Sequence, residues 1–200
     1  MTFLLDTMVV SYFLQAARED ELAAAAACCP MAIVDEVRQE LENDSNRGGR
    51  PFETWLATSG IEMHTIVVGS AESATLAQLL SVASPNRSRG ERASIAVAES
   101  DMSLTFVTND RGALWIAIRE FWMPGERILG LAVFLRRLFE QAALSDPAIL
   151  DEIMTVASAQ RPTWWATWRS GVARHGVAAM SPLVSAPPTP SVDPTPGDDE

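Results

Sequence analysis

The sequence predicts an α/β fold with a central, mostly parallel sheet flanked by helices. Two short apolar runs each end in an aspartate: Phe3-Leu4-Leu5 runs into Asp6, and Leu104-Thr105-Phe106-Val107-Thr108-Asn109 runs into Asp110. Each reads as a buried strand, and ligands of open α/β sheets gather at the carboxyl ends of the strands. Helical patterns alternate with strand-like runs as far as Glu120, the order expected of right-handed parallel crossovers. With 48% apolar residues in a chain of 200, a proper core can be buried.

The elements follow in order. Thr7 to about Ala17 is amphipathic at helical spacing, with Val10, Phe13 and Leu14 on one side. Glu21 to Ala27 is alanine-rich and favours a helix. Pro30 suits a helix start, and Ile33, Val37 and Leu41 form a stripe four residues apart, which predicts one helix over 31–41. Asn43 to Gly49 is a break, and Phe52 to Thr58 a short helix. Ile61 to Val68 alternates loosely and reads as a strand. Ala71 to Val82 is a helix with Leu76, Leu79 and Leu80 inward, Ser84 to Gly90 a loop, and Glu91 to Glu99 a helix. After the second Asp-tipped strand comes a helix from about Arg111 to Glu120. Beyond Pro124 the pattern is helical only, with one strong helix over 129–143, another opened by Asp146-Pro147, and a third over 161–171. From Ser181 the chain is too proline-rich and polar to fold. These readings divide the chain into an α/β domain at 1–125, a helical extension packed on it at 126–178, and a disordered, proline-rich acidic tail at 179–200.

Composition narrows the function. No window is apolar enough to span a membrane, and the N-terminus lacks the pattern of a signal peptide. Adjacent Cys28 and Cys29 suit neither disulfide staples nor a zinc site, so a reducing cytoplasm is expected. The net charge of -11 argues against gripping nucleic acid by charge alone, although metal held by carboxylates reverses the local field. All 15 basic residues are arginine.

Four acids are the candidate site. Asp6 and Asp110 end the two strands, and Glu36 and Glu91 stand early in helical patterns between them. Carboxylates gathered on one edge suit Mg²⁺ or Mn²⁺, hard cations that prefer oxygen ligands. Asp6 and Asp110 would otherwise simply cap the helices that follow, and Glu36 would be a surface acid. Glu40, one turn beyond Glu36, is the reserve candidate. Thr7 and Thr108 are placed to orient carboxylates by hydrogen bonds. Arg87, Arg89, Arg92 and Arg111 could hold phosphates, with surface salt bridges as the plain alternative. Trp164, Trp165 and Trp168 suit the packing of a helix onto the core.

Together, four segments resemble the PIN-domain family of metal-dependent ribonucleases: Leu4-Leu5-Asp6-Thr7, Pro30 to Val37, Gly90 to Ala98, and Phe106 to Arg111. The resemblance spans about residues 2 to 122. Residues 128 to 153 are similar to the helical end of a PIN subgroup common in bacterial toxin–antitoxin loci. It implies a three-layer domain, Mg²⁺ or Mn²⁺ at Asp6, Glu36, Glu91 and Asp110, support from Thr108, and cleavage of single-stranded RNA. A homodimer and an antitoxin protein are the partners it implies. Met8 stands where the family often has asparagine. Two other functions are weighed against it. A phosphoryl-transfer or receiver-type protein would need a lysine near the phosphate, and the chain has none. A non-catalytic PIN-like binding module is consistent with the acidic charge and with Met8.

Overall fold

The computed structural model describes residues 1–43, 52–81, 89–119, 123–141, 143–158 and 162–175. Two compact units are present, Met1–Pro162 and Thr163–Glu200. The first is built on a five-stranded, wholly parallel sheet: β1 (Thr2–Leu5), β2 (Met31–Val34), β3 (Glu62–His64), β4 (Leu104–Thr108) and β5 (Ile128–Gly130). Helices connect and flank these strands in a three-layer α/β arrangement. Strand order is β3-β2-β1-β4-β5, so the winding reverses between β1 and β4. A crevice opens outside the strand ends at such a reversal.

Both Asp-tipped runs are central strands, as their apolar character predicts. Phe3, Leu4, Leu5, Phe106 and Val107 are buried, and Phe3 meets Phe134 edge-to-face at 5.2 Å between ring centroids. Helix α1 (Thr7–Gln15) follows Asp6 and α2 (Glu19–Cys28) follows in turn. The expected helix over 31–41 is instead two elements. Met31–Val34 is β2, fully buried beside β1, and only then does α3 (Asp35–Asn43) begin, with Asp35 and Glu36 in the first turn, where the helix dipole favours acids.

Helices α4 (Phe52–Ser59) and α5 (Ala71–Ser81) match their patterns, but Leu80 of α5 is turned outward while Leu76 and Leu79 are buried. The strand expected over 61–68 shrinks to the three residues of β3, and Val67 and Val68 are exposed. Helix α6 (Arg89–Ser100) starts earlier than expected and is buried continuously from Gly90 to Ala98. Helix α7 (Arg111–Arg119) leaves β4 through Asp110.

The helical-only reading beyond Pro124 is corrected. Ile128–Gly130 pairs with β4 as β5, and the helix α8 (Leu131–Glu140) begins after it. β5 thus adds a strand of the central sheet to the segment that follows residue 125, and the first compact unit runs to Pro162. Helix α9 (Pro147–Val156) opens as the Asp-Pro signal predicts, with Asp146 Oδ1 accepting from Ala148 N at 2.8 Å. In the second unit, α10 (Thr163–His175) carries Trp164, Trp165 and Trp168, whose ring centroids lie 5.5–6.2 Å apart. Among the described residues no helix is long and apolar enough to cross a membrane.

Candidate functional site

The fold brings Asp6 and Asp110 to neighbouring strand ends at the point where the winding reverses. The register fixes this. Leu5 pairs with Val107, so the next residues of both strands emerge on the same edge. The Asp6 amide continues the ladder by donating to Val107 O at 3.0 Å.

One hydroxyl joins the two acids. Thr108 is fully buried, and its Oγ1 donates to Asp6 Oδ2 at 2.7 Å while accepting from Asp110 N at 3.0 Å. The amide has only a proton to give, so the hydroxyl proton is directed at the Asp6 carboxylate. Asp110 Oδ1 in turn accepts from the amides of Gly112 and Ala113, capping α7. Capping and membership of the edge cluster are therefore combined in one residue.

Asp6 is only 2% exposed. Burial pushes its carboxyl from 3.8 up to about 6. Hydrogen bonds from Thr108 and the Thr7 backbone oppose that rise, and the nearby charges of Glu40 and Asp110 add to it. Three carboxylates therefore share one field around the sheet edge.

Glu40, the reserve candidate, is the glutamate of α3 most firmly tied into this edge. Its Oε2 accepts from Thr7 Oγ1 at 2.5 Å and its Oε1 from Gly90 N at 2.8 Å. This carboxylate thus clasps the first turns of α1 and α6. Gly90 leaves room for this close approach: a Cβ there would lie 2.8 Å from Glu40 Oε2 and 3.0 Å from both Thr7 Oγ1 and Val37 Cγ2. Thr7 consequently supports Glu40 through its side chain. The sequence reading set Gly90 at the end of a loop and gave it no role beside Glu40, a partner 50 residues away.

Glu36 stands one turn earlier on α3. Its Oε1 is 3.9 Å from Arg89 Nε, and its buried Oε2 has no hydrogen-bond partner. Glu91 is buried in the first turn of α6. Of the arginines, Arg89 and Arg111 are exposed at the starts of α6 and α7. Arg92 is buried and engaged within the protein, which removes it from the phosphate-holding set. Arg87 lies outside the described residues. His64 pairs with Glu72 at 3.2 Å and plays no part in this edge.

Among the described residues no three His, Cys, Asp or Glu side chains form a group that could hold a metal ion as they stand. Comparison with protein-family models, curated proteins and solved structures finds no match. The class defined by the fold and the site is thus an α/β protein with a carboxylate-lined edge at its strand-order reversal.

Proposed function

We propose that the protein is a metal-dependent endoribonuclease of the PIN type, acting on single-stranded RNA as the toxin of a toxin–antitoxin pair. The observation that carries this reading is the Asp6–Thr108–Asp110 connection at the reversal between β1 and β4. A buried carboxylate facing two other acids is costly unless a cation or proton balances it. The buried, unpartnered Oε2 of Glu36 points to the same need.

The donor set is all oxygen, which suits Mg²⁺ or Mn²⁺. Mg²⁺ keeps several waters and is commonly held by one or two carboxylates together with substrate phosphates, so a closed protein cage is not needed. Asp6 and Asp110 would hold it, with Glu40 beside them; Glu36 and Glu91 are the further acids that the family resemblance assigns to the site. A metal held there would supply an activated water and charge stabilisation for the oxygen leaving the phosphodiester. Thr108 fixes the direction of Asp6, the α7 cap fixes Asp110, and Thr7 with Gly90 fixes Glu40. Exposed Arg89 and Arg111 would hold the RNA backbone as bidentate donors. No residue is asked to form a covalent intermediate. A homodimer and an antitoxin protein belong to the same proposal.

A non-catalytic binding module is the second reading, favoured by the absence of a ready-made three-ligand group among the described residues and by Met8. Cleavage of a mixed single-stranded RNA pool separates the two. The nuclease reading expects cutting that needs Mg²⁺ or Mn²⁺ and that is lost in both Asp6→Asn and Asp110→Asn. A folded wild type that cuts nothing, or variants that cut equally well, leaves the binding module.

A further inference from the structure

We infer that the exposed face of α7 is a stacking platform for the bases of single-stranded RNA, with Trp115 as its anchor. The inference rests on the nuclease reading for its substrate class. Trp115 is 65% exposed and Ile118 48% exposed, in a chain whose Trp55 is buried. A tryptophan left so open on an ordered helix forgoes a large burial gain.

The helix geometry places the residues. At 3.6 residues per turn, positions 111, 115, 118 and 119 fall within about 100° of the helix circumference. Arg111, Trp115, Ile118 and Arg119 are all exposed, and Ala113 and Ala117 face the core from the other side. The outward face is therefore an aromatic and an aliphatic surface bracketed by two guanidinium groups. No acid lies within α7, although the whole chain carries a charge of -11.

This face also starts at the proposed reaction centre, because Asp110 caps the same helix. Trp115 stands about 7.5 Å further along the axis at 1.5 Å per residue. A strand whose phosphate lies at the carboxylate edge would meet Arg111 and then the indole. Base stacking on an aromatic ring tolerates any sequence, requires an unpaired base, and gains from flanking cations. The two arginines suit a phosphate backbone, whereas pairing this face with the same face of a second copy would set arginine against arginine, which favours RNA as the occupant.

The test is binding of the full chain to a fluorescein-labelled single-stranded RNA oligomer, followed by anisotropy. Parallel titrations use an abasic oligomer and duplex RNA. Stacking of one base predicts that Trp115→Ala weakens single-strand binding roughly 5- to 150-fold, while Trp115→Phe keeps most of the affinity. The difference between wild type and Trp115→Ala should vanish on the abasic oligomer and on the duplex. Equal single-strand binding by wild type and Trp115→Ala overturns the platform, as does no RNA binding by the wild type. So does an equal loss on duplex and single strand. Sedimentation that shifts from dimer to monomer in Trp115→Ala, with RNA affinity unchanged, would assign the face to a second copy. Cleavage of the same oligomer keeps the two readings apart. Binding through Trp115 without metal-dependent cutting removes the nuclease and leaves the platform; cutting with unchanged KM in Trp115→Ala does the reverse.

Discussion

Replacing Asp6 by asparagine should stabilise the metal-free protein at neutral pH while destroying its proposed activity. Burial and neighbouring acids raise the Asp6 carboxyl from 3.8 to about 6. The difference is worth roughly 3 kcal/mol at 1.36 kcal/mol per pH unit. Because the folded state holds this proton more tightly than the unfolded chain, the stabilisation from protonation is fully present below pH 3.8 and is lost as pH rises through about 6. At pH 7.5 the ionised Asp6 therefore weakens the fold. Asparagine removes the charge and keeps one oxygen for the Thr108 hydroxyl. Its amide nitrogen cannot accept from the donors around it, which costs about 1 kcal/mol. The net gain is about 2 kcal/mol, or roughly 4–8 °C in Tm for a unit of this size. Urea unfolding in EDTA at pH 7.5 and at pH 4 provides the assay. The variant should be more stable at pH 7.5 and the gap should close by pH 4. Saturating Mn²⁺ should stabilise the wild type and leave the variant unchanged. A variant less stable than wild type at pH 7.5, or a gap that ignores pH, refutes the burial argument.

Two further substitutions probe the groups that hold the acids. Gly90→Ala sets a Cβ against Glu40 Oε2 and pushes that carboxylate away from Thr7; losing a charged hydrogen bond costs about 1.5–3 kcal/mol, and the better helix propensity of alanine returns about 1 kcal/mol. Chemical denaturation should show a net loss of about 0.5–2 kcal/mol, with RNA cleavage reduced more than stability alone explains. Thr108→Val removes the donor to Asp6 and the acceptor of the Asp110 amide, so stability should fall by about 1–3 kcal/mol. The same change should raise the Asp6 carboxyl further, because the lost hydrogen bond favoured the charged form; the pH at which Mn²⁺ binding appears should move up accordingly.

The sheet edge was legible in the sequence because β1 and β4 are apolar runs stopped by a carboxylate, and a strand buried on both faces has that form. The strands β2 and β5 were hidden for a shared reason. Each is three or four apolar residues running straight into a helix, so Ile33 falls in step with Val37 and Leu41, and Ile128-Leu129 with the stripe of α8. Periodicity cannot separate such short runs from a longer helix. Glu36 and Glu40 lie on one side of α3, and local pattern says nothing about which reaches the edge. Thr7 and Gly90, at 33 and 50 residues' separation from Glu40, decide that. Arg92 stood among the candidate phosphate donors, but α6 is buried continuously from Gly90 to Ala98 and takes Arg92 in with it.

The central claim is that the acidic edge takes up a divalent cation, and Mn²⁺ titration calorimetry on the full chain tests it without relying on activity. At pH 7.5 the wild type should bind Mn²⁺ saturably, and binding should weaken as pH falls through about 6, where Asp6 takes up its proton. Binding should be abolished in Asp6→Asn and Asp110→Asn and weakened in Glu40→Gln. A folded wild type that takes up no Mn²⁺, or variants that bind it as the wild type does, would contradict the account.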